Sequence, residues 1–503
     1  MTRLARCVMV QGTSSDVGKS VVATALCRVL RDEGYRVAPF KAQNMSLNAA
    51  VTPDGSEIGR AQAAQAEAAG IVPRAEMNPI LLKPEGDARS QLIVLGHARG
   101  SVAARDYWTR RRSLWPVVRS ALRSLRAEYE VVVIEGAGSA AELNLRASDL
   151  ANMRVARATR AAVLLVGDIE RGGIFAQLLG TLALLPPAER ALVRGILVNK
   201  FRGDPALFAS GARLLARRAG VPVLGVLPYR DDLGVPAEDS LALDRERTAP
   251  DGALDVAVLR YPRISNFDDF EPFSRAGARV RYVRDAAALG TPDLLVLPGS
   301  KSTIADLEWL RDAGLGARAC ALADAGVPVV GVCGGFQMLG EVLDDRDGVE
   351  GDARRVRGLG LLPVRTVFRA AKRTVPARGT IAGDVLGARI GGLPVEGYEL
   401  HAGATRRRGC APFSHLAAGS GRVPIADGAV SADGRVFGTY LHGLFANAAL
   451  RDALLARLAA RRGASFAPRA EASDRYAALA AWLRASLSVP RLLRACEIAE
   501  ARR

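Results

Sequence analysis

A chain of 503 residues with 49% hydrophobic content exceeds what one core usually organises and is expected to fold as two or three domains. Its 69 Lys and Arg against 52 Asp and Glu leave a net charge of +17, but the arginines are scattered, which reads as composition rather than as a nucleic-acid footprint. Six widely spaced cysteines without a C-x-x-C pair argue against a zinc site or disulfide framework and for a reducing, cytoplasmic setting, and neither a signal-peptide pattern nor a run of about 18 apolar residues points to export or a membrane span.

Up to about residue 228, short apolar runs alternate with helical patterns: Cys7 to Val10, Arg36 to Phe40, Val131 to Ile134, Ala162 to Val166, Gly195 to Val198 and Val223 to Leu227. That alternation predicts a parallel sheet covered by helices. The first run ends in Gly12-Thr13-Ser-Ser-Asp-Val-Gly18-Lys19-Ser20, and a helical pattern from Val21 to Leu30 follows at once. Such a strand, glycine turn and helix start form a phosphate cradle: the glycines let backbone N–H groups approach the anion and the helix contributes its positive end. Lys19 is expected to reach the outer phosphates of ATP and Ser20 to meet Mg²⁺, although the spacing is one residue longer than the usual phosphate loop. Val131 to Ile134 delivers Glu135 to the C-terminal edge of the sheet, where ligands bind in open α/β folds, as a second candidate for Mg²⁺. Asp168, Glu170 and Arg171 follow another strand to the same edge, and Asn199 sits where a nucleotide base is commonly met.

The stretch 231–251 reads as a linker. A second series begins with the strands Asp255 to Leu259, Ala278 to Val283, Leu294 to Leu297 and Pro328 to Val332, and its later part, about 355–440, has a more antiparallel pattern. Val329-Val-Gly-Val-Cys333-Gly334-Gly335 places a cysteine on a tight glycine-flanked turn between strand and helix, a geometry that projects a nucleophile and lowers a thiol pKa. Of four histidines, His442 lies at a strand end before Gly443 and is the expected proton shuttle. The strand running into Gly299 is suited to present N–H groups to an oxyanion, together with Gly334. Beyond residue 448, Leu and Ala at helical spacing predict a helical tail.

The N-terminal motif, with Glu135-Gly-Ala-Gly138 downstream, resembles the dethiobiotin synthetase type of P-loop domain, which implies ligase chemistry driven by ATP. The Gly299, Cys333 and His442 elements resemble, in that order, a class I glutamine amidotransferase over about 252–446. The fold implied is α/β throughout, a P-loop parallel-sheet domain over 1–230 and an amidotransferase domain of flavodoxin-like or Rossmann-like type over 252–447, followed by a helical extension over 448–503. Most members of that class carry a glutamate two residues after the histidine, where this chain has Leu444; Glu396 and Glu399 are candidates for the missing carboxylate, and His401 is either a neighbour in the cleft or a packed strand histidine. Lys41-Ala-Gln-Asn44-Met-Ser-Leu-Asn48, Met77-Asn78-Pro, Glu142-Leu-Asn144, Asp149-Leu-Ala-Asn-Met153 and Asn199-Lys-Phe-Arg-Gly-Asp204 resemble the cobyric acid synthase family, so that the resemblance covers nearly the whole chain. It implies a corrinoid substrate, ATP with Mg²⁺, glutamine as nitrogen donor and no nucleic-acid partner, with Lys41, Asn44, Asn78 and Asp149 as substrate contacts by motif position and Lys83, Arg89 and Arg171 as further basic contacts. The alternatives are the sibling family that amidates the a and c carboxylates of cobyrinic acid, a ParA-like DNA-partition ATPase, and a scaffold with a decayed glutaminase.

Overall fold

The computed structural model describes residues 4–86, 88–230, 232–236, 243, 253–418, 423–469 and 474–499, so most of the expected linker lies outside the described residues. All the strands anticipated in the first 228 residues form, and they assemble into one six-stranded parallel sheet. Its order is Val223–Pro228, Val193–Phe201, Ala162–Asp168, Arg6–Gly12, Val131–Glu135 and Val37–Phe40. Side chains alternate across a strand with period two, and here both faces are apolar. Val8, Val10, Val133 and Leu164 pack under the P-loop helix Lys19–Asp32, while Met9, Val132, Ile134, Val163 and Leu165 pack under the helices Trp115–Glu128 and Ile174–Leu184.

Between the second and third strands of this domain the chain builds an insertion that the alternation of strand and helix did not reveal. A four-stranded sheet of Gln43–Met45, Ile80–Pro84, Arg89–Val94 and His97–Ala103 flanks the helix Arg60–Ala69. Gln43–Met45 has only three residues, and Arg89–Val94 and His97–Ala103 are mostly unburied, so the apolar pattern is weak in all but Ile80–Pro84.

The second domain is centred on a sheet of order Arg279–Val283, Asp255–Leu259, Leu294–Leu297, Val329–Val332 and Val436–Thr439, all parallel, with Ala429–Val430 as an antiparallel edge. The antiparallel part foreseen over about 355–440 is a long hairpin, Val364–Ile381 with Pro394–Arg407, at the heart of a seven-stranded sheet. Leu441–His442 pairs with this hairpin at Tyr398 and Glu399, so His442 is held between the two sheets.

The tail does not pack as one unit. Helix Ala448–Arg461 buries Leu450, Leu454, Leu455 and Leu458 in the second domain. Helices Ala477–Ser486 and Val489–Ala495 return to the first, where Leu479, Trp482, Leu483 and Leu492 join the core beneath the P-loop helix. Leu487 forms an antiparallel bridge to Gly225, capping the edge strand of the first sheet.

Candidate active site

At the first site, the central strand ends at Gly12 and the helix begins at Lys19, capped by Gly18 at φ 95°. That backbone conformation belongs to glycine, and a Cβ at Gly12 would come within 2.7 Å of Val17 and 2.9 Å of the Ser14 carbonyl. Lys19 Nζ donates to the Ser14 carbonyl at 2.8 Å and to the Gly138 carbonyl at 3.0 Å, bridging the loop to the Glu135-Gly-Ala-Gly138 turn. Ser20 Oγ donates to Glu135 Oε1 at 2.8 Å. Glu135 is wholly buried and also accepts from Lys41 Nζ at 2.9 Å and from Gln65 Nε2 at 2.6 Å, so a protonated lysine neutralises it. Thr13 Oγ1 donates to Gln177 on helix Ile174–Leu184 at 3.4 Å, and Asn199 Nδ2 donates to the Val17 carbonyl at 2.8 Å, fastening the loop to the strand Val193–Phe201, two places along the sheet. Asp168 pairs with Lys200 at 2.9 Å, and Arg171 pairs with Asp16 at 3.1 Å.

Ser20 and Glu135 present only oxygen donors, the kind that Mg²⁺ accepts in small number beside phosphate and water. Among the described residues no cluster of three His, Cys, Asp or Glu side chains forms a protein-only metal cage. The two therefore fit a magnesium ion held largely by phosphate oxygens.

Four of the expected substrate contacts are engaged by other groups of the protein. Asn78 donates to the carbonyls of Lys41 and Ile80, both at 3.1 Å, and accepts from Gly59 N at 2.9 Å. Asn44 donates to Gln62 at 3.1 Å. Asp149 accepts from the backbone N–H groups of Ala151, Asn152 and Arg154, which fixes the start of helix Met153–Thr159. Lys83 is buried against Glu57 at 2.8 Å. Beyond Gly138 a cavity of about 970 Å³ opens within the first domain; Asp149 is part of its wall, whereas Lys41, Lys83, Arg89 and Arg171 are not.

In the second domain Cys333 sits at φ 52° and ψ −108°, the strained turn anticipated from its flanking glycines, between Val329–Val332 and the short helix Gly334–Met338. A Cβ at Gly334 would press 2.8 Å from Ser300 N, and one at Gly299 would lie 3.3 Å from His442 Cε1. The expected oxyanion glycines thus pack directly around the cysteine and the imidazole. His442 is buried, stacks on Tyr398 at 5.2 Å between centroids, and lies beside Cys333, whose Sγ donates to the Leu400 carbonyl at 3.5 Å. Its Nδ1 meets Asp269 Oδ2 at 2.7 Å, and Asp269 Oδ1 accepts from Gly443 N at 2.9 Å. Burial opposes charge on this ring, but Asp269 and Cys333 outweigh it and hold the imidazolium up to about 10.

The carboxylate that orients the histidine is therefore Asp269, and neither Glu396 nor Glu399. Glu396 lies at the surface near Arg378, and Glu399 is engaged by Arg373 at 2.6 Å and by His401 at 3.5 Å. His401 is a packed strand histidine, stacked on Tyr440 at 3.7 Å. The signal for Asp269 was the pair Asp268-Asp269, in Asn-Phe-Asp-Asp-Phe just past the first strand of the domain.

The two sites meet across a buried polar interface. Asn266 Nδ2 donates to Tyr398 Oη at 2.7 Å and to the Ala49 carbonyl at 2.9 Å, and Phe267 N donates to Asn48 Oδ1 at 3.1 Å. Arg60 Nε donates to Asp268 at 2.8 Å, and Lys372 reaches Glu57 at 2.6 Å beside Lys83.

Residues 8–241 match a family described as the CobQ/CobB/MinD/ParA nucleotide binding domain, and residues 255–450 match the CobB/CobQ-like glutamine amidotransferase domain. A cobyric acid synthase of Moorella thermoacetica is 50% identical over 468 residues, covering 92% of this chain and 90% of that protein. One from Chloroflexus aurantiacus is 51% identical, covering 93% and 95%, and one from Pelotomaculum thermopropionicum is 52% identical, covering 92% and 89%.

Proposed function

The chain belongs to the cobyric acid synthase family, and from that premise we propose that it uses ATP and glutamine to convert the b, d, e and g carboxylates of an adenosylated cobyrinic acid a,c-diamide into carboxamides. Its partners are the corrinoid, ATP and glutamine, its compartment the cytoplasm. The observation that carries the reading is an imidazole–carboxylate pair beside the Cys333 elbow, joined through one buried interface to a phosphate loop.

A carboxylate resists ammonia until one of its oxygens becomes a leaving group. A carboxylate oxygen attacks the γ-phosphorus of ATP, forming an acyl phosphate and releasing ADP, with Lys19 and the loop N–H groups stabilising the charge that moves. Magnesium, held through Ser20 and Glu135, would supply further charge neutralisation. In the second domain the Cys333 sulfur attacks the glutamine side-chain amide carbon, and His442 passes a proton to the departing nitrogen, releasing ammonia and leaving a thioester that water hydrolyses to glutamate. The N–H groups around Gly299 and Gly334 serve the oxyanion. Ammonia then attacks the acyl carbon, expelling phosphate. An internal route keeps it unprotonated, and the buried amides at the interface support one: Gln62 Nε2 and Gln65 Oε1, beside Asn44 and Glu135, have no hydrogen-bond partner among the described residues.

Mass spectrometry of the corrinoid after incubation with Mg-ATP and glutamine tests the reading. One mass step of OH to NH₂ per carboxylate is expected, and Cys333→Ala should retain these steps with an ammonium salt while losing them with glutamine. A corrinoid unchanged under both nitrogen sources overturns the proposal, and amidation of cobyrinic acid but not of its diamide transfers it to the sibling reaction.

A further inference from the structure

The cavity beyond Gly138 is built unlike the rest of the surface. Of the few large apolar side chains left exposed, Met45, Trp108, Leu143 and Leu184 all line it. Scattered singly such residues need no explanation, but four around one concavity mark a ligand with broad apolar faces. The same wall carries five arginines against three carboxylates, and two of the carboxylates are occupied: Glu189 pairs with Arg146 at 2.8 Å, and Asp149 is spent on backbone N–H groups.

Arg111 is the exceptional member. It is only 9% exposed, its Nε is buried without a hydrogen-bond partner among the described residues, and its guanidinium stands 5.5 Å from the Trp108 ring. A buried guanidinium with an orphaned N–H is costly unless an acceptor arrives, and its planar fork suits a carboxylate or amide oxygen. In the same lining Arg154 lies over Trp115 at 4.3 Å, a second cation held on an aromatic face. The wall adjoins the phosphate loop, because its Gly138 carbonyl accepts from Lys19 Nζ at 3.0 Å. A ligand seated here therefore carries its rim toward the place where ATP is cleaved.

Resting on the function proposed above, we propose that this cavity receives the macrocycle of the corrinoid, with Trp108, Met45, Leu143 and Leu184 against its apolar face and Arg111 reading a carboxylate or carboxamide at its rim. Arg111 is thus a binding and positioning residue that decides which edge of the ring is presented to the phosphate loop.

The test is a titration of the full-length enzyme with the a,c-diamide corrinoid, followed by tryptophan quenching and by steady-state kinetics, for wild type, Arg111→Gln, Arg111→Lys and Trp108→Ala. Loss of the charged fork should raise the corrinoid Kd and KM roughly tenfold or more, with Arg111→Lys intermediate and the KM values for ATP and glutamine within about twofold of wild type. Trp108 is exposed, so its truncation guards against a folding defect at Arg111, and melting curves check each variant. Wild-type corrinoid affinity in both Arg111→Gln and Trp108→Ala overturns the site while leaving the reaction intact, and so does a rise confined to the KM for ATP. A wild-type enzyme that neither binds nor amidates the corrinoid overturns the site and the reaction together.

Discussion

Asp269 precedes His442 by 173 positions, and no local pattern ties the two together. The position where the class usually keeps its carboxylate is Leu444, buried in the apolar core, so the orienting acid comes instead from the segment after the first strand of the domain. Replacing Asp269 with Asn should remove the main support of the imidazolium and lower glutaminase turnover by roughly 10²–10⁴-fold, with ammonium-dependent amidation retained. The pH profile distinguishes this from misfolding. His442 is raised from an ordinary 6.5 to about 10, so the pair's contribution to stability is complete below 6.5 and is lost as pH rises through about 10. In Asp269→Asn the alkaline limb of glutaminase activity should move to lower pH, and urea-unfolding midpoints of variant and wild type should converge above pH 10.

Helix Arg60–Ala69 is the element that touches both centres. Its first residue, Arg60, holds Asp268, the neighbour of Asp269; two residues on, Gln62 accepts from Asn44; and Gln65, about one turn beyond Gln62, holds Glu135 beside Ser20. The helix is Ala-rich and buried on nearly every side, and the preceding Gly59 leaves room that a Cβ would take from Asn44 at 2.5 Å and Gln62 at 2.7 Å. Burial raises Asp268 to about 6, with Asp269 adding to the rise and Arg60 opposing it. Arg60→Ala should therefore let Asp268 hold its proton to higher pH, moving the acid limb of glutaminase activity upward and lowering its kcat/KM roughly tenfold at neutral pH. An unchanged limb in a well-folded variant would show that the helix does not act on the triad.

At the scale of the whole molecule, two devices lock the domains together. The tail crosses back after the second domain, where Trp482 Nε1 donates to the Pro228 carbonyl at 2.9 Å and Arg28 meets Asp474 at 2.6 Å. At the interface Glu57, Lys83 and Lys372 form a buried cluster with two cations on one anion. Burial works against the Glu57 charge, yet Lys372 and Lys83 prevail and hold its carboxyl near 2, while burial and Lys372 bring Lys83 down to about 8. Glu57→Ala should strand both lysines and cost about 3–5 kcal/mol, read by calorimetry, with little relief from added salt because the cluster is shielded from it. The carboxylate's contribution is present above its ordinary 4.5 and fades as pH falls through about 2, so the deficit of the variant should shrink in strong acid.

What could be read along the chain was whatever is encoded by neighbours in sequence. Ten strands, the phosphate loop, the Cys333 elbow and the placing of His442 at a strand end follow from apolar runs, glycine turns and helix starts, which depend on a few consecutive residues. Asp269 as the third member of the relay, the scaffolding roles of Asn44 and Asn78, the bridge through Arg60–Ala69 and the return of the tail to the first domain depend on which distant segments share a volume. A carboxylate at residue 269 carries no mark of the histidine it will meet, and Arg111 carries no mark that its N–H will be buried without a partner. Only packing brings the first pair together and only packing leaves the second without an acceptor.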